Sequence, residues 1–158
     1  MSSLKQQVNE ISRTMPMDDN VNNHMHSSQV IELLNRSLRM EYSMIVHYPL
    51  IANFIKDEKI RELAIELGSG SIKHANTVAD LVKSCGGEPV WSVEPFPEKL
   101  GIKQIFSEQL EKEKQAMEMH KKNACLVDDE EMKNKLEELA REENNHIKTV
   151  NKILSMLG

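Results

Sequence analysis

Glycine and proline are scarce: the 158 residues hold six of the first and five of the second. So few turn residues argue against an all-β chain of this length. Cysteine is scarcer still. Cys85 and Cys125 lie far apart and read as the reduced thiols of a cytoplasmic protein, with a disulfide left open. An excess of positive charge is also missing, since 20 Lys and Arg stand against 25 Asp and Glu, for a formal net charge of −5. The two signs are interleaved and no basic stripe forms, so nucleic acid is not an expected partner. An acidic chain is repelled by anionic lipid headgroups. No apolar run reaches the roughly 18 residues that a membrane-spanning helix needs. The opening segment MSSLKQQVNEISRTMPMDDN has no apolar centre and does not read as a secretory signal. No internal repeat is evident. What is present is 39% hydrophobic and 28% charged residues, the balance of one soluble globular domain with a sizeable core.

Residues 1–27 are polar and without a sustained period, and they read as a flexible arm. His24-Met25-His26 within it reads as tail and not as a soft-metal site. Residues 28–158 hold the periodic segments and are expected to form one all-α domain. The first helix is expected from about Ser28 to Ile55, with the stripe Leu34, Leu38, Glu41, Ile45, Tyr48, Ala52, Ile55 in steps of four and three. The second is expected from about Glu58 to Cys85, with Ile60, Leu63, Leu67, Ser71, His74, Val78, Leu81 and Cys85, and a stop at Gly86-Gly87. The third runs from near Lys103 to about Val127 on Phe106, Leu110, Glu113, Met117, His120 and Ala124. The fourth follows Asp128-Asp129, acids suited to a helix N-terminus. It carries Met132, Leu136, Leu139, Glu143, His146, Val150, Ile153 and Leu157. Short connections make the first two helices, and the last two, antiparallel neighbours. Between the pairs lies GGEPVWSVEPFPEKLGI, stiffened by Pro89, Pro95 and Pro97, long enough to run the length of a bundle.

A purely structural core would make these stripes apolar throughout. Instead each carries polar residues near its middle: Glu41; Ser71 with His74; Glu113; Glu143 with His146. In an antiparallel bundle these positions converge at one depth. Carboxylates gathered there lose hydration and repel one another, and cations relieve both costs. Carboxylate oxygen with imidazole nitrogen suits iron or manganese, and zinc is also compatible. In Glu143-Asn144-Asn145-His146 the spacing places both side chains on one helix face.

The stretches LLNRSLRMEYSMIVHY, SIKHANTVADLVKSCGGEP, EKEKQAMEMH and REENNHIKTV resemble the ferritin-like superfamily, and within it the bacterioferritins, over about residues 28–158. The resemblance implies a four-helix bundle of two antiparallel hairpins joined by a long crossover. It implies Glu41 and Glu113 as terminal carboxylates, His74 and His146 as the histidines, Glu143 as a bridging carboxylate, and Tyr48 as the tyrosine near the site. The pattern departs at Ser71, where a second bridging Glu is expected, and at Ile72, where the haem-ligating Met would follow, so no haem is expected. The short fifth helix of bacterioferritins has no counterpart before Gly158. The expected assembly is therefore a homodimer or small homo-oligomer through the outer faces of the first two helices, not a large shell.

Other residues have plainer readings. Ser71 lies in Gly68-Ser69-Gly70-Ser71, which marks either a bent, closely packed helix or a vacant ligand position. Tyr48 is a core aromatic with a satisfied hydroxyl or a redox residue. His120 and His47 read as hydrogen-bonded core histidines. Glu66 lies too far along its helix to replace the missing Glu. Glu111 and Glu142 fall off the stripes and read as solvated, and the methionines as core filler. The leading function is iron handling, with Fe(II) bound in the bundle and oxidised by dioxygen or peroxide. A non-catalytic bundle serving as a metal-sensing or partner-binding module is the alternative. An oxidase of an organic substrate is a third reading.

Overall fold

The computed structural model describes the backbone of residues 19–97 and 100–158, with side chains from residue 27 onward. The four helices are α1 (Asp19–Ala52), α2 (Glu58–Ser84), α3 (Ile102–Leu126) and α4 (Glu130–Leu157). Their ends follow from local chemistry. The Asp57 carboxylate accepts from the Ile60 N–H at 3.0 Å and starts α2. Asp129 does the same for α4 through the Met132 N–H at 2.9 Å. Both satisfy amides that a helix start leaves without partners. Gly86, at φ +83°, closes α2, and the Gly87 N–H returns to the Val82 carbonyl at 3.0 Å.

α1 begins at Asp19, nine residues before the expected start. Once a helix is nucleated it propagates without an apolar stripe, so periodicity does not mark where it begins. The remainder of the expected arm, residues 1–18, lies outside the described residues, as do the side chains of His24, Met25 and His26. At the other end α1 stops at Ala52, and Ile55 follows as a buried residue beyond a tightened last turn.

α1 packs on α2 and α3, and α4 packs on α3 and α2, so the order around the bundle is α1, α2, α4, α3. The segment between the hairpins lies extended along α1. Asn35 accepts from the Val90 N–H at 2.9 Å and donates to the Glu88 carbonyl at 3.2 Å. Arg39 reaches Ser92, the Ser43 hydroxyl accepts from the Glu94 N–H at 2.9 Å, and the His47 Nε2 lies 2.8 Å from the Glu94 carbonyl. The match is metric. Four helical residues rise about 6 Å, nearly the length of two extended residues. A step of four along α1 therefore keeps pace with alternate residues of the crossover and satisfies its backbone without a sheet.

The apolar core is split. One half gathers Tyr48, Ile51, Ile60, Leu67, Phe106, Val150 and Ile153, the other Leu34, Leu38, Val78, Leu81, Leu136 and Leu139. Between them lies a buried polar layer. Methionine contributes less than the sequence suggested. Met44 is buried, whereas Met40, Met117, Met119 and Met132 are half-buried and Met156 is exposed, because branched residues and alanine fill the close contacts between helices.

Candidate metal centre

Every helix contributes to the polar layer: Glu41 from α1, His74 from α2, Glu113 and His120 from α3, Glu143 and His146 from α4. All are buried except His146, whose side chain is 14% exposed. Glu143 sits in the middle. Its Oε1 lies 2.8 Å from His74 Nδ1 and 3.7 Å from His120 Nε2, and its Oε2 lies 3.4 Å from His146 Nδ1. Glu41 Oε1 lies 3.0 Å from His120 Nε2, and its Oε2 lies 3.6 Å from His74 Nδ1. Glu113 accepts from the Tyr48 hydroxyl at 2.8 Å, and its other oxygen lies 3.4 Å from His146 Nδ1. Donor atoms fall into two groups, each within 4.8 Å: His74, Glu143 and His146, and Glu41, His120 and Glu143. Glu143 belongs to both.

A second set of contacts orients the first. His74 turns Nε2 outward to Glu142 at 2.8 Å, and Glu142 also accepts from Lys73 at 2.7 Å. Ser37 lies 3.3 Å from His120 Nδ1. Fixing one ring nitrogen in this way aims the other inward. The α2 backbone makes room through glycine. A Cβ on Gly70 would stand 2.7 Å from His146 Nε2, and one on Gly68 3.2 Å from the Tyr48 Cβ.

Without a cation, protons partly balance the charge. Burial and the neighbouring Glu143 push the Glu41 carboxyl up, and burial likewise raises Glu113 to about 8. Burial alone would lower the histidines, but hydrogen bonds to Glu143 with Glu41 or Glu113 outweigh it. They raise His120 to about 9, His146 to about 10 and His74 to about 11. Burial also opposes ionisation of Glu143, yet the hydrogen bonds converging on it hold its carboxyl well below the usual range. Burial and Glu113 raise the Tyr48 hydroxyl well above 10, so it stays a hydrogen-bond donor. Even so, one oxygen each of Glu41, Glu113 and Glu143, and His146 Nδ1, are buried without a hydrogen-bond partner. Such groups are costly in a protein interior unless something else satisfies them. A divalent cation does so, and the mixed oxygen and nitrogen donors fit iron, manganese or zinc.

The ferritin-like domain family matches residues 31–157. The chain belongs to that family. A search of curated proteins finds none that matches this ferritin-like chain. In fold it is similar to a ferritin-like, diiron-carboxylate protein from Bacillus anthracis, at 22% identity and a TM-score of 0.72 over 82% of this chain and 97% of that one. It is similar to the bacterioferritin of Desulfovibrio desulfuricans, at 23% identity and a TM-score of 0.74 over 84% and 82% of the two chains. A third likeness is to a dodecameric thioferritin, the bacterioferritin-related protein of Bacteroides fragilis, at 16% identity and a TM-score of 0.73 over 83% and 87%. At these identities the likeness is one of fold.

Glu41, His74, Glu113, Glu143 and His146, all expected at the centre, do come together there, with Tyr48 on Glu113. Ser71 is buried in an unbroken helix and turns away. Its hydroxyl donates to the Leu67 carbonyl at 3.2 Å and lies 3.9 Å from Met44 Sδ. The close packing expected of the glycine run is present at Gly68 and Gly70, without the expected bend. Glu142 corrects its expectation. It is half-buried and paired with His74 and Lys73, because a long side chain next to Glu143 can reach round the helix edge. His120 is indeed a hydrogen-bonded buried histidine, but its partner is Glu41 of the centre itself. The available signal was its place on the same stripe as Glu113. His47 bonds the crossover carbonyl of Glu94, as a core histidine should, and Glu66 and Glu111 are exposed.

Proposed function

We propose that this ferritin-like chain takes up Fe(II) as substrate at the bundle centre and oxidises it. Glu41, His74, Glu113, Glu143 and His146 are the proposed ligands, and Tyr48 holds Glu113 by its hydroxyl. Each ferrous ion loses one electron, and dioxygen or hydrogen peroxide takes up the electrons with protons. Hard carboxylate oxygens favour the higher charge of the product and so favour the oxidation. The observation that carries this reading is the set of buried ligand atoms on Glu41, Glu113, Glu143 and His146 that no protein group satisfies. The test is aerobic Fe(II) oxidation by the purified protein. The wild type should exceed the buffer rate and Glu143→Ala should fall back to it. A wild type no faster than buffer would count against the activity.

Ser71 favours a second reading, a non-catalytic metal-sensing or partner-binding bundle, since α2 offers the centre no carboxylate. Metal retained without faster oxidation would select it. Manganese or zinc would then be as suitable as iron.

For assembly we propose a homodimer or small homo-oligomer through the outer faces of α1 and α2, where Leu50, Ile65 and Ile72 are exposed. Apolar side chains gathered on one face commonly mark an interface. No helix among the described residues is long and apolar enough to cross a membrane. Cys85 and Cys125 are free thiols, in keeping with a proposed cytoplasmic location.

A further inference from the structure

We propose that His120 is a metal ligand, completing with Glu41 and Glu143 a second cation position that α2 does not supply. The proposal rests on the reading of the bundle centre as a metal site and adds a residue and a donor type to it.

Three features of His120 set it apart from a buried histidine that merely fills space. The first is distance. Its Nε2 lies 3.0 Å from Glu41 Oε1 and 3.7 Å from Glu143 Oε1. Ligands held about 2.0–2.2 Å from one ion stand roughly 3.0–3.6 Å from each other, so the three atoms already have nearly the spacing of a shared coordination sphere. The second is orientation. Ser37, itself buried, lies 3.3 Å from Nδ1 and can accept its proton. That tautomer leaves the Nε2 lone pair pointing at the two carboxylates. The third is unspent capacity. Glu41 Oε2 and Glu143 Oε2 are buried without a hydrogen-bond partner and lie 3.6 Å from His74 Nδ1 and 3.4 Å from His146 Nδ1. Each carboxylate can therefore give its Oε1 to a cation at His120 while its other oxygen remains free for the position at His74 and His146.

The placement follows from helix register. His120 lies two turns beyond Glu113 on α3, about 10 Å along the axis. Glu41 precedes Tyr48 by the same two turns on antiparallel α1. Tyr48 meets Glu113 and Glu41 meets His120, so both pairings come from one register. Ser71, pointing to the Leu67 carbonyl, adds nothing to either position. With two carboxylates and one imidazole, against one carboxylate and two imidazoles at His74, Glu143 and His146, the second position carries the more negative donor set, so its occupant should be the more readily oxidised of the two.

Cobalt(II), loaded anaerobically, provides the test, with metal content per chain and the visible d–d bands as readouts. The variants are His120→Ala, the more conservative His120→Gln and Ser37→Ala, each checked for helix content by circular dichroism. The wild type should bind two Co(II), one for each donor group. Both His120 variants should lose about one and change the band shape, and Ser37→Ala should keep both with the second weakened about tenfold, the usual effect of removing an orienting partner. If His120→Gln folds and matches the wild type in both metal content and bands, His120 is not a ligand, and the broader metal reading survives. If the wild type itself binds no Co(II), both readings fall together.

Discussion

Glu143 is the one side chain shared by both donor groups, and its carboxylate touches all three imidazoles of the layer. Glu143→Ala should therefore lose most of the bound metal. It should also destabilise the metal-free protein, because His74, His120 and His146 would each lose a charge partner in a buried site. Gly70 separates function from stability. Gly70→Ala should gain up to about 1 kcal/mol of helix propensity. Its Cβ would nevertheless displace His146, and metal affinity should fall by about tenfold as with other disturbed ligand orientations. Thermal melts and metal titration of the same variant read the two effects apart. A loss of stability with full affinity would contradict the geometry. The sequence made Glu41, Glu113, Glu143 and the Glu-x-x-His pair legible because a charged residue in the middle of an apolar stripe has no cheap structural purpose. His120 was less legible because a histidine on a stripe has the same pattern whether it bonds a hydroxyl or a metal. Glu142 was misplaced because periodicity locates a Cα and says little about how far a flexible side chain reaches.

The layer also sets a pH dependence. The folded values of His120, His146 and His74, about 9, 10 and 11, all lie above the ordinary 6.5. Their contribution to metal-free stability is complete below 6.5 and is lost as pH rises through those values. Glu113, raised from 4.5 to about 8, acts in the same direction. The melting temperature of the metal-free protein should therefore drop by several degrees from about pH 7 to about pH 10, and that of the metal-loaded protein should drop less. Apparent metal affinity should rise over the same range, because binding expels those protons. A metal-free melting temperature that climbs with pH would contradict the charge arrangement.

At the scale of elements, the crossover depends on a row of α1 side chains and not on strand pairing. Ser43→Ala would leave the Glu94 N–H without its acceptor and should cost about 1 kcal/mol. Asp57→Ala, which removes the α2 cap, should cost about as much. Denaturant melts of the two variants test both, and a neutral Ser43→Ala would mean that the crossover is held by its prolines and aromatic contacts instead. Three of the helices were legible to within a residue or so, since Asp57, Gly86-Gly87 and Asp129 are strong boundary signals. α1 was not, because its first turns carry no apolar stripe to connect the acids at Asp18 and Asp19 to a helix. The rail of Asn35, Arg39 and Ser43 was also hidden, since it falls on a polar face that sequence alone reads as solvated, and only His47 at its end was read as a hydrogen-bonded core residue.

At the scale of the molecule, the two apolar halves of the core hold a charged layer between them, and the bundle tolerates that layer only when its charges are answered. Cations should therefore raise the melting temperature by mass action. For the proposed assembly, Ile65→Lys together with Ile72→Lys should shift the protein toward monomer in sedimentation velocity. An unchanged sedimentation coefficient would move the interface elsewhere. The most direct test of the central claim is the metal retained per chain after anaerobic loading with Fe(II) and desalting, in the wild type and in Glu143→Ala. The account predicts iron held by the wild type and largely lost from the variant. Equal iron in the two, or none in either, would contradict it.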